Sequence, residues 1–558
     1  MGVIFASVIQ EEIGGIYMKL RKYALTFLAG TALGLAGCGG GNSSKMDVVN
    51  RTELQEMSTL DSTLSQDTTS GNFIGQVQAG LYWEDEKNQP QPDLATELPK
   101  VSEDGLTHTI KMRQDAKWSN GDKITAHDFV YAIHRLADPK VGAAYSYLLD
   151  GFENSEEVLA GKAPVDKIGV KALDDYTIEI KLSKPLPYLN HLLAFCCFSP
   201  LNQKFVEEKG DRYGTSSDNS IASGPFQVTD WDGTGLKFKL KKNPNFYNAD
   251  KVKLNEINVQ VIKENATAAN LFENGEVDNA LLRGEVVKQY KGNPSLQYRP
   301  QASTYYIQMN HEHPALKNKD FRQAIAHAIN NEELANKIKA DGSTAISTFI
   351  PRDFIFNPET GADFVDDVNI PSAYDVNKAK EKWEKAKAEL GKSEISVKLL
   401  CSDDEGSKKV GEYIQGQIQN TLSGVHVDLV TLPGKNRIAK VNNKDYDMAL
   451  SGWSADYADA SNFFDLFKTG NAYNRSNYSN AQYDALLKKA SIQDAENPAA
   501  RWQDFLQAQK LFTEDVPAVV LYQAKDAELR NPRVKGIVYR SGGVDFDYRS
   551  AYIDKDAK

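Results

Sequence analysis

The chain has 558 residues and a formal net charge of −11, with 41% hydrophobic and 25% charged residues. This length exceeds what one hydrophobic core usually supports, so we expect two or three domains, and the composition excludes a disordered chain or a multi-span membrane protein. The acidic balance argues against nucleic acid as a partner, because a phosphate backbone calls for a concentrated basic surface.

The N-terminal stretch has the pattern of a secretion signal. Basic residues up to Lys22 precede an uncharged run from Tyr23 to Gly37. That run is shorter than the ~20 residues that a membrane-spanning helix needs, so we expect it to be removed after export. Residues 1–17 carry acidic side chains ahead of the basic ones and fit no targeting signal, and Met18 is therefore predicted as the true start.

The end of this signal predicts a lipid anchor. Leu35-Ala36-Gly37-Cys38 resembles the lipobox of bacterial lipoproteins, in which the cysteine becomes the acylated first residue. Two acyl chains hold a protein firmly on a membrane, since each buried methylene contributes roughly 0.8 kcal/mol. We expect lipidation at Cys38 and attachment to the outer face of the cell membrane, in a Gram-positive bacterium. The alternative is an ordinary signal peptide with an incidental cysteine.

The other cysteines are Cys196, Cys197 and Cys401. They form no CxxC pair for zinc or redox chemistry, and no disulfide framework is implied. Adjacent cysteines bridge only with strained geometry, so we expect Cys196 and Cys197 to be buried as small apolar residues.

Short strands and helices alternate along the rest of the chain. Residues 177–182 and 236–240 alternate polar and apolar side chains, which predicts half-buried strands. Apolar residues recur at helical spacing over 321–329 and 379–390, and Gly391 supplies a stop for the second helix. This mixture indicates α/β lobes.

Catalytic and metal-binding motifs are missing from the sequence. It has no HExxH zinc motif and no GxSxG nucleophile elbow, and Gly391-Lys392-Ser393 lacks the leading glycine of a P-loop. His311-Glu312-His313 offers two imidazoles, an incomplete metal site, and a solvated loop is the expected reading. Asp403-Asp404-Glu405 is expected to be a solvated turn. The sequence therefore predicts no catalytic residue, no metal and no cofactor.

A series of short sequence blocks runs along most of the chain. In order, the blocks are Leu94-Ala95-Thr96-Glu97, Asp104 to Ile110, Lys117 to Asp122, Thr125 to Val130, Gly169 to Asp174, Ser223-Gly224-Pro225-Phe226, Lys242-Asn243-Pro244, Phe321 to Ala324, and Gly452 to Tyr457. From about Glu53 to the C-terminus they resemble the oligopeptide- and dipeptide-binding family of solute-binding proteins that serve peptide ABC importers. The block around Lys117-Trp118-Ser119-Asn120-Gly121-Asp122 is the most specific.

The resemblance implies an α/β, two-lobed periplasmic-binding-protein fold of type II, in the large cluster with an inserted extra domain and a hinge of crossing strands. Trp118, Asn120 and Gly121 are then expected in a scaffold turn. The implied organisation is a signal peptide at 1–37, a lipidated linker at 38–48, a first lobe from 49–90, 206–302 and 526–558, an inserted domain at 91–205, and a second lobe at 303–525.

The resemblance also implies where a peptide binds. In similar receptors the peptide runs extended between the lobes and forms strand-like hydrogen bonds with two receptor segments. Residue by residue, these segments match Thr68-Thr69-Ser70-Gly71 and Gly452-Trp453-Ser454, and Asp456 matches the carboxylate that pairs with the peptide's α-ammonium group. Ser454 stands where some relatives carry a disulfide cysteine. Leu450 stands where relatives selecting short peptides have an arginine for the ligand's carboxylate, so longer peptides are expected to fit.

The implied partners are oligopeptides and the permease and ATPase subunits of an ABC importer, and the implied state is a monomer without enzymatic activity. Three alternatives stay open at this point. A receptor for one peptide pheromone would bind a single sequence selectively. A nickel- or haem-binding member of the family would carry bound metal or a visible absorption band. A hydrolase would cleave the peptide.

Overall fold

The computed structural model describes residues 47–471 and 473–557. The predicted signal peptide and the predicted lipidation site Cys38 lie outside the described residues. Within the described ranges, no helix is both long enough and apolar enough to cross a membrane.

The strands are, in chain order, β1 (Val48–Glu53), β2 (Tyr82–Glu84), β3 (Pro90–Pro92), β4 (Lys100–Val101), β5 (Thr107–Lys111), β6 (Val170–Asp174), β7 (Thr177–Lys181), β8 (Phe226–Thr229), β9 (Lys237–Lys242), β10 (Glu256–Val261), β11 (Asn279–Leu282), β12 (Leu296–Met309), β13 (Thr344–Ala345), β14 (Ile395–Ser402), β15 (Val425–Leu432), β16 (Met448–Ser454), β17 (Ala518–Arg530), β18 (Val534–Lys535), β19 (Val538–Tyr539), β20 (Phe546–Asp547) and β21 (Tyr552–Ile553).

The α-helices are, in chain order, α1 (Thr68–Val77), α2 (Ala126–Ala137), α3 (Ser155–Leu159), α4 (Leu189–Leu192), α5 (Gln203–Lys209), α6 (Asn265–Glu273), α7 (Glu285–Gln289), α8 (Lys319–Ala328), α9 (Asn331–Glu333), α10 (Phe364–Val368), α11 (Val376–Leu390), α12 (Glu405–Thr421), α13 (Gly434–Asn442), α14 (Ser461–Phe464), α15 (Ala481–Lys488) and α16 (Pro498–Asp515). Short 3-10 turns lie at Ala144–Leu149, Val165–Lys167, Cys196–Phe198, Gly210–Arg212, Ser217–Asn219 and Asp465–Phe467, and π-helical turns at Leu334–Lys339 and Lys489–Gln493.

An eleven-stranded mixed sheet organises the molecule, in the order β15-β14-β16-β12-β17-β11-β1-β10-β9-β8, with β13 added on β17. The long antiparallel strands β12 and β17 cross from one half to the other, and their register shifts between Pro300 and Thr304. We call β1 and β8 to β11 the sheet of the first lobe, and β14 to β16 the sheet of the second lobe. The two crossing strands form the hinge that joins them.

The second lobe buries both faces of its sheet. Consecutive residues of β12 point to opposite faces, because side chains alternate along a strand. Ile307 lies in the core under α8, α11 and α12, whereas Tyr306 lies in the core built largely by α14 to α16. Asp456 lies two residues beyond the end of β16, and a strand packed on both sides gives it a rigid support.

A separate four-stranded sheet, β4-β5-β7-β6, lies within residues 100–181. It falls inside the segment predicted as the inserted domain, whose limits stay a prediction. Its neighbouring turn holds Trp118, which is fully buried, and Gly121, whose φ of +94° suits glycine. The Trp118 N–H donates to the Asp122 carbonyl at 2.8 Å, so this block is a structural turn, as predicted.

The secondary structure predicted from periodicity is confirmed. Strands β7 and β9 fall on the two alternating segments, and α8 and α11 on the two helical ones. Helix α11 ends at Gly391, whose φ of +63° lies in the left-handed region. Cys196, Cys197 and Cys401 are free thiols and are buried.

Candidate functional site

Strand β16 has one edge that is only partly paired. Strand β12 pairs with it along its whole length, from Met309 opposite Met448 to Ser303 opposite Ser454. On the other side β14 pairs with Met448 and Ala449 and, within the described ranges, goes no further. The second edge of β16 is therefore open beyond Ala449.

The ladder fixes which main-chain groups face this open edge. The Ala455 N–H donates to the Ala302 carbonyl at 2.8 Å, which makes that pair a hydrogen-bonded one. Hydrogen-bonded and non-hydrogen-bonded pairs alternate along an antiparallel ladder. Trp453 therefore bonds toward β12, while the N–H and C=O groups of Gly452 and Ser454 point away from it. These two residues offer donors and acceptors to an added strand.

At its N-terminal end, the open edge of β16 is closed off by Arg437. The Leu450 side chain is buried in the second-lobe core, and its carbonyl accepts a hydrogen bond from Arg437 Nη1 at 2.8 Å. Arg437 Nε donates to Ser402 Oγ, and burial lowers the pKa of the guanidinium. In the described part of the chain no carboxylate forms an ion pair with Arg437. Leu450 cannot meet a ligand carboxylate itself, and a cation from α13 lies beside it instead.

Close packing explains the glycine in this segment. A Cβ on Gly452 would lie 3.0 Å from the ring of Tyr305, which stacks on Tyr522 at 4.9 Å between ring centroids. Trp453 turns away from the edge, and its Nε1 donates to Asn462 Oδ1 at 2.8 Å. Gly452 thus leaves room for the Tyr305 ring, while Trp453 braces the loop that follows it.

Asp456 lies at the end of the open edge and faces another part of the fold. Its Oδ2 accepts a hydrogen bond from the Tyr147 hydroxyl at 2.8 Å, and its N–H donates to Asn462. Burial raises the pKa of this carboxyl, against the opposing effects of the side-chain hydrogen bonds with Tyr147 and Asn462. Among the residues that the structure describes, no cation pairs with it. A half-buried carboxylate in this state is stabilised by an incoming cation.

A buried ion pair holds the Asp456 loop in place. Arg501 donates to both carboxylate oxygens of Asp459, at 2.6 and 2.7 Å, and Ser461 donates to the same carboxylate. Burial would raise the pKa of Asp459, but Arg501 and Ser461 outweigh it and hold that pKa below its usual value. The loop carrying Asp456 is therefore anchored to α16.

The strand-like role predicted for Thr68 to Gly71 is wrong, because these residues form the first turn of α1. The Asp67 side chain caps this helix by accepting from the Ser70 N–H at 2.7 Å. Ser70 is buried, and its Oγ accepts from the Ser58 N–H. Thr68 and Thr69 still line a cavity at the cleft, so ligand contact by these two side chains stays a prediction.

Two cavities border this site, and their linings share Gly543. The larger, about 290 Å³, lies between the lobes against Ser454, Ala455 and the first turn of α1. Its charged lining is internally paired: Arg51 with Glu53, Arg299 with Asp526 and Asp545, and Arg283 with Asp526 at 3.6 Å. The smaller cavity, about 40 Å³, lies against Asp456 on the side of β2 and α4. The ligand space is therefore polar and carries little net charge in its larger part.

The prediction that His311 lies in a solvated loop is wrong. His311 Nε2 donates to the Pro517 carbonyl at 3.1 Å, and burial, with Arg322 nearby, lowers its pKa to about 4. Among the described residues, no three ligand-type side chains come together as a metal site.

Comparison with known proteins assigns the chain to a family. Residues 89–475 match the family model of the bacterial extracellular solute-binding proteins, family 5, middle region. The chain belongs to family 5 of the bacterial extracellular solute-binding proteins.

Similar family-5 proteins match over nearly their full length. The dipeptide-binding protein of Lactococcus lactis is 35% identical over 95% of this chain and 98% of its own. The structure of Listeria monocytogenes OppA bound to peptide is 39% identical, with a TM-score of 0.74 over 92% of this chain and 100% of that one. The structure of the pheromone receptor PrgZ is 37% identical, with a TM-score of 0.74 over 91% of this chain and 100% of that one.

Family-5 membership confirms the predicted family and fold class. The hinge of crossing strands is the β12–β17 pair. The individual ligand contacts of this family-5 protein stay predictions, and two of the flanking groups, Tyr147 and Arg437, were missed in the sequence analysis. Neither residue lies in a block that carries the resemblance, so no sequence signal marked it.

Proposed function

We propose that this protein captures oligopeptides between its two lobes outside the cell and delivers them to an ABC-type peptide importer, its partners being the permease and ATPase subunits. One observation carries the proposal: the open edge of β16 ends at Asp456, a carboxylate that has no cation partner within the described ranges. An extended peptide with a free α-ammonium group complements both features. The names of the similar proteins, which bind dipeptides, oligopeptides or a peptide pheromone, support it.

The geometry suggests how the peptide binds. It adds as a strand to the edge of β16, exchanges main-chain hydrogen bonds with Gly452 and Ser454, and places its α-ammonium group on Asp456. The edge ends where Arg437 occupies the Leu450 carbonyl, so this ladder spans only a few peptide residues. Because peptide contacts both lobes, it favours closure by its differential affinity, and a shift from mostly open to mostly closed needs roughly 5 kcal/mol.

Main-chain recognition predicts tolerance of sequence. Peptides that share a first residue but differ at every later position are expected to bind within about tenfold of one another, because backbone hydrogen bonds carry little side-chain information. Isothermal titration calorimetry on such a set, with scrambled sequences as matched controls, measures this directly. Binding of a single sequence out of the set would contradict the proposal.

A peptide-pheromone receptor feeding the same importer is the second candidate. The similarity to the pheromone receptor PrgZ favours it. Mass spectrometry of the ligand that co-purifies with the protein separates the two, because a nutrient receptor retains a mixture of peptides and a pheromone receptor retains one. A nickel- or haem-binding role has no support among the described residues.

We also propose that Cys38 carries the lipid that anchors the receptor to the outer face of a Gram-positive cell membrane. Cys38→Ala is expected to move the protein from the membrane fraction to the medium, because the acyl chains are lost. Cell fractionation and immunoblotting in a strain lacking the importer measure this, with Cys401→Ala as the matched control. A Cys38→Ala protein that stays in the membrane fraction would show the lipobox interpretation to be wrong.

A further inference from the structure

The small cavity beside Asp456 is lined by both charged and apolar side chains. Its volume of about 40 Å³ is room for roughly three water molecules, since one water needs about 10–15 Å³ on this measure. Trp83, Phe195 and Val544 supply apolar walls. The ionisable lining consists of Glu84, Asp93, His191, Asp456, Arg540, Asp547 and Arg549, together with Tyr82 and Cys196.

The two arginines of this cavity are already engaged. Arg540 donates to the carbonyls of Glu84 and Val544 and to the Asp547 carboxylate. Arg549 donates to Asp547 at 2.8 Å and to Asp93 at 3.2 Å. The positive charges of Arg540 and Arg549 therefore balance the negative charges of Asp93 and Asp547, which are both buried.

The carboxylates that these arginines do not pair with can still accept hydrogen bonds from a ligand in the cavity. Glu84 is nine-tenths buried, and its Oε1 lies 2.8 Å from His191 Nδ1. Within the described part of the chain, its Oε2 has no hydrogen-bond partner and can accept from a ligand. The cavity therefore suits a ligand that donates hydrogen bonds and carries positive charge.

We infer that Glu84, oriented by His191, binds the ammonium group of a lysine side chain at the first position of the peptide. The inference rests on the proposed function, in which Asp456 takes the α-ammonium group. That group and the first side chain are attached to the same carbon, so a side chain entering this cavity comes from the first residue. The ammonium head and the last methylenes occupy the cavity, against Trp83 and Phe195, and the rest of the stem stays outside it.

The test compares three tetrapeptides by calorimetry: Lys-Ala-Ala-Ala, its uncharged analogue with norleucine first, and Ala-Lys-Ala-Ala. Wild-type protein is expected to bind the lysine-first peptide about tenfold more tightly than either of the others, because a charge-assisted hydrogen bond is available only there. Glu84→Gln keeps the shape and the His191 contact, and is expected to reduce this preference to within about twofold.

Glu86→Gln removes a charge from the same hairpin at an exposed position and serves as the matched control, with the wild-type preference retained. Equal affinity of wild-type protein for the lysine and norleucine peptides would overturn the inference and leave the peptide receptor standing. The same holds if Glu84→Gln keeps the full preference. If none of the three peptides binds to wild-type protein, both the inference and the proposed function fail.

Discussion

Asp456→Asn is expected to weaken peptide binding by about 30-fold or more, equivalent to ~2 kcal/mol. The peptide's α-ammonium group loses water when the lobes close over it, and without the carboxylate it is buried uncompensated. Asp456 has no cation partner in the described part of the chain, and burial already raises its pKa. The substitution should therefore leave the thermal stability of ligand-free protein nearly unchanged. Calorimetry of one peptide with both proteins, together with melting curves, measures the two effects.

The same charge pair can also be broken by a change on the peptide instead of on Asp456. Acetylation of the peptide's amino end removes the charge, so wild-type protein should bind the acetylated form poorly, and Asp456→Asn should distinguish the two forms much less. This double-mutant cycle isolates the pair from general damage. Asp403→Asn, at an exposed acid of the same lobe, is the matched control. Equal affinity of wild-type protein for free and acetylated peptide would rule out Asp456 as the ammonium site.

Arg501→Met is expected to lower the free energy of unfolding by about 3–5 kcal/mol, because it strands the buried Asp459 carboxylate. In the native chain Arg501 donates to both oxygens of Asp459, whose pKa is held low. A depressed folded-state pKa contributes stability above the unfolded pKa of about 3.9, and that stability is lost as the pH falls through the folded value. The variant should lose this part of the acid dependence. Urea unfolding of ligand-free protein between pH 3 and 7 measures both effects.

An exposed ion pair provides the control for this prediction. Arg352 lies 2.7 Å from Asp366, with side chains 41% and 61% exposed, and Arg352→Met should cost at most about 1 kcal/mol. The double variant Asp459→Asn with Arg501→Met is expected to regain part of the lost stability, since no charge is then left buried alone. Equal stabilities of Arg501→Met and Arg352→Met would show that the Asp459 pair is not the anchor of the Asp456 loop.

The sequence by itself determined the local elements and the family. Polar and apolar side chains alternate over 177–182, and apolar residues recur at helical spacing over 379–390. Both patterns involve only residues close together in the chain, and the predicted strand and helix lie where they were expected. Gly391 ends its helix because glycine adopts positive φ at low cost. The block Gly452 to Tyr457 marked Asp456 as the candidate for the peptide's α-ammonium group, and that role stays a prediction. The first turn of α1 was not predicted from the sequence, although Asp67 and Ser70 form a local helix cap.

Only the tertiary structure decided the surroundings of that carboxylate. Tyr147 lies 309 positions before Asp456 in the chain and meets it only when the fold closes. Arg437 reaches Leu450 from a neighbouring helix, and Glu84 reaches the same site from a hairpin near the N-terminus. The open edge exists because β14 pairs with β16 only at Met448 and Ala449. Such contacts depend on how distant segments pack, and no local pattern of residues encodes them.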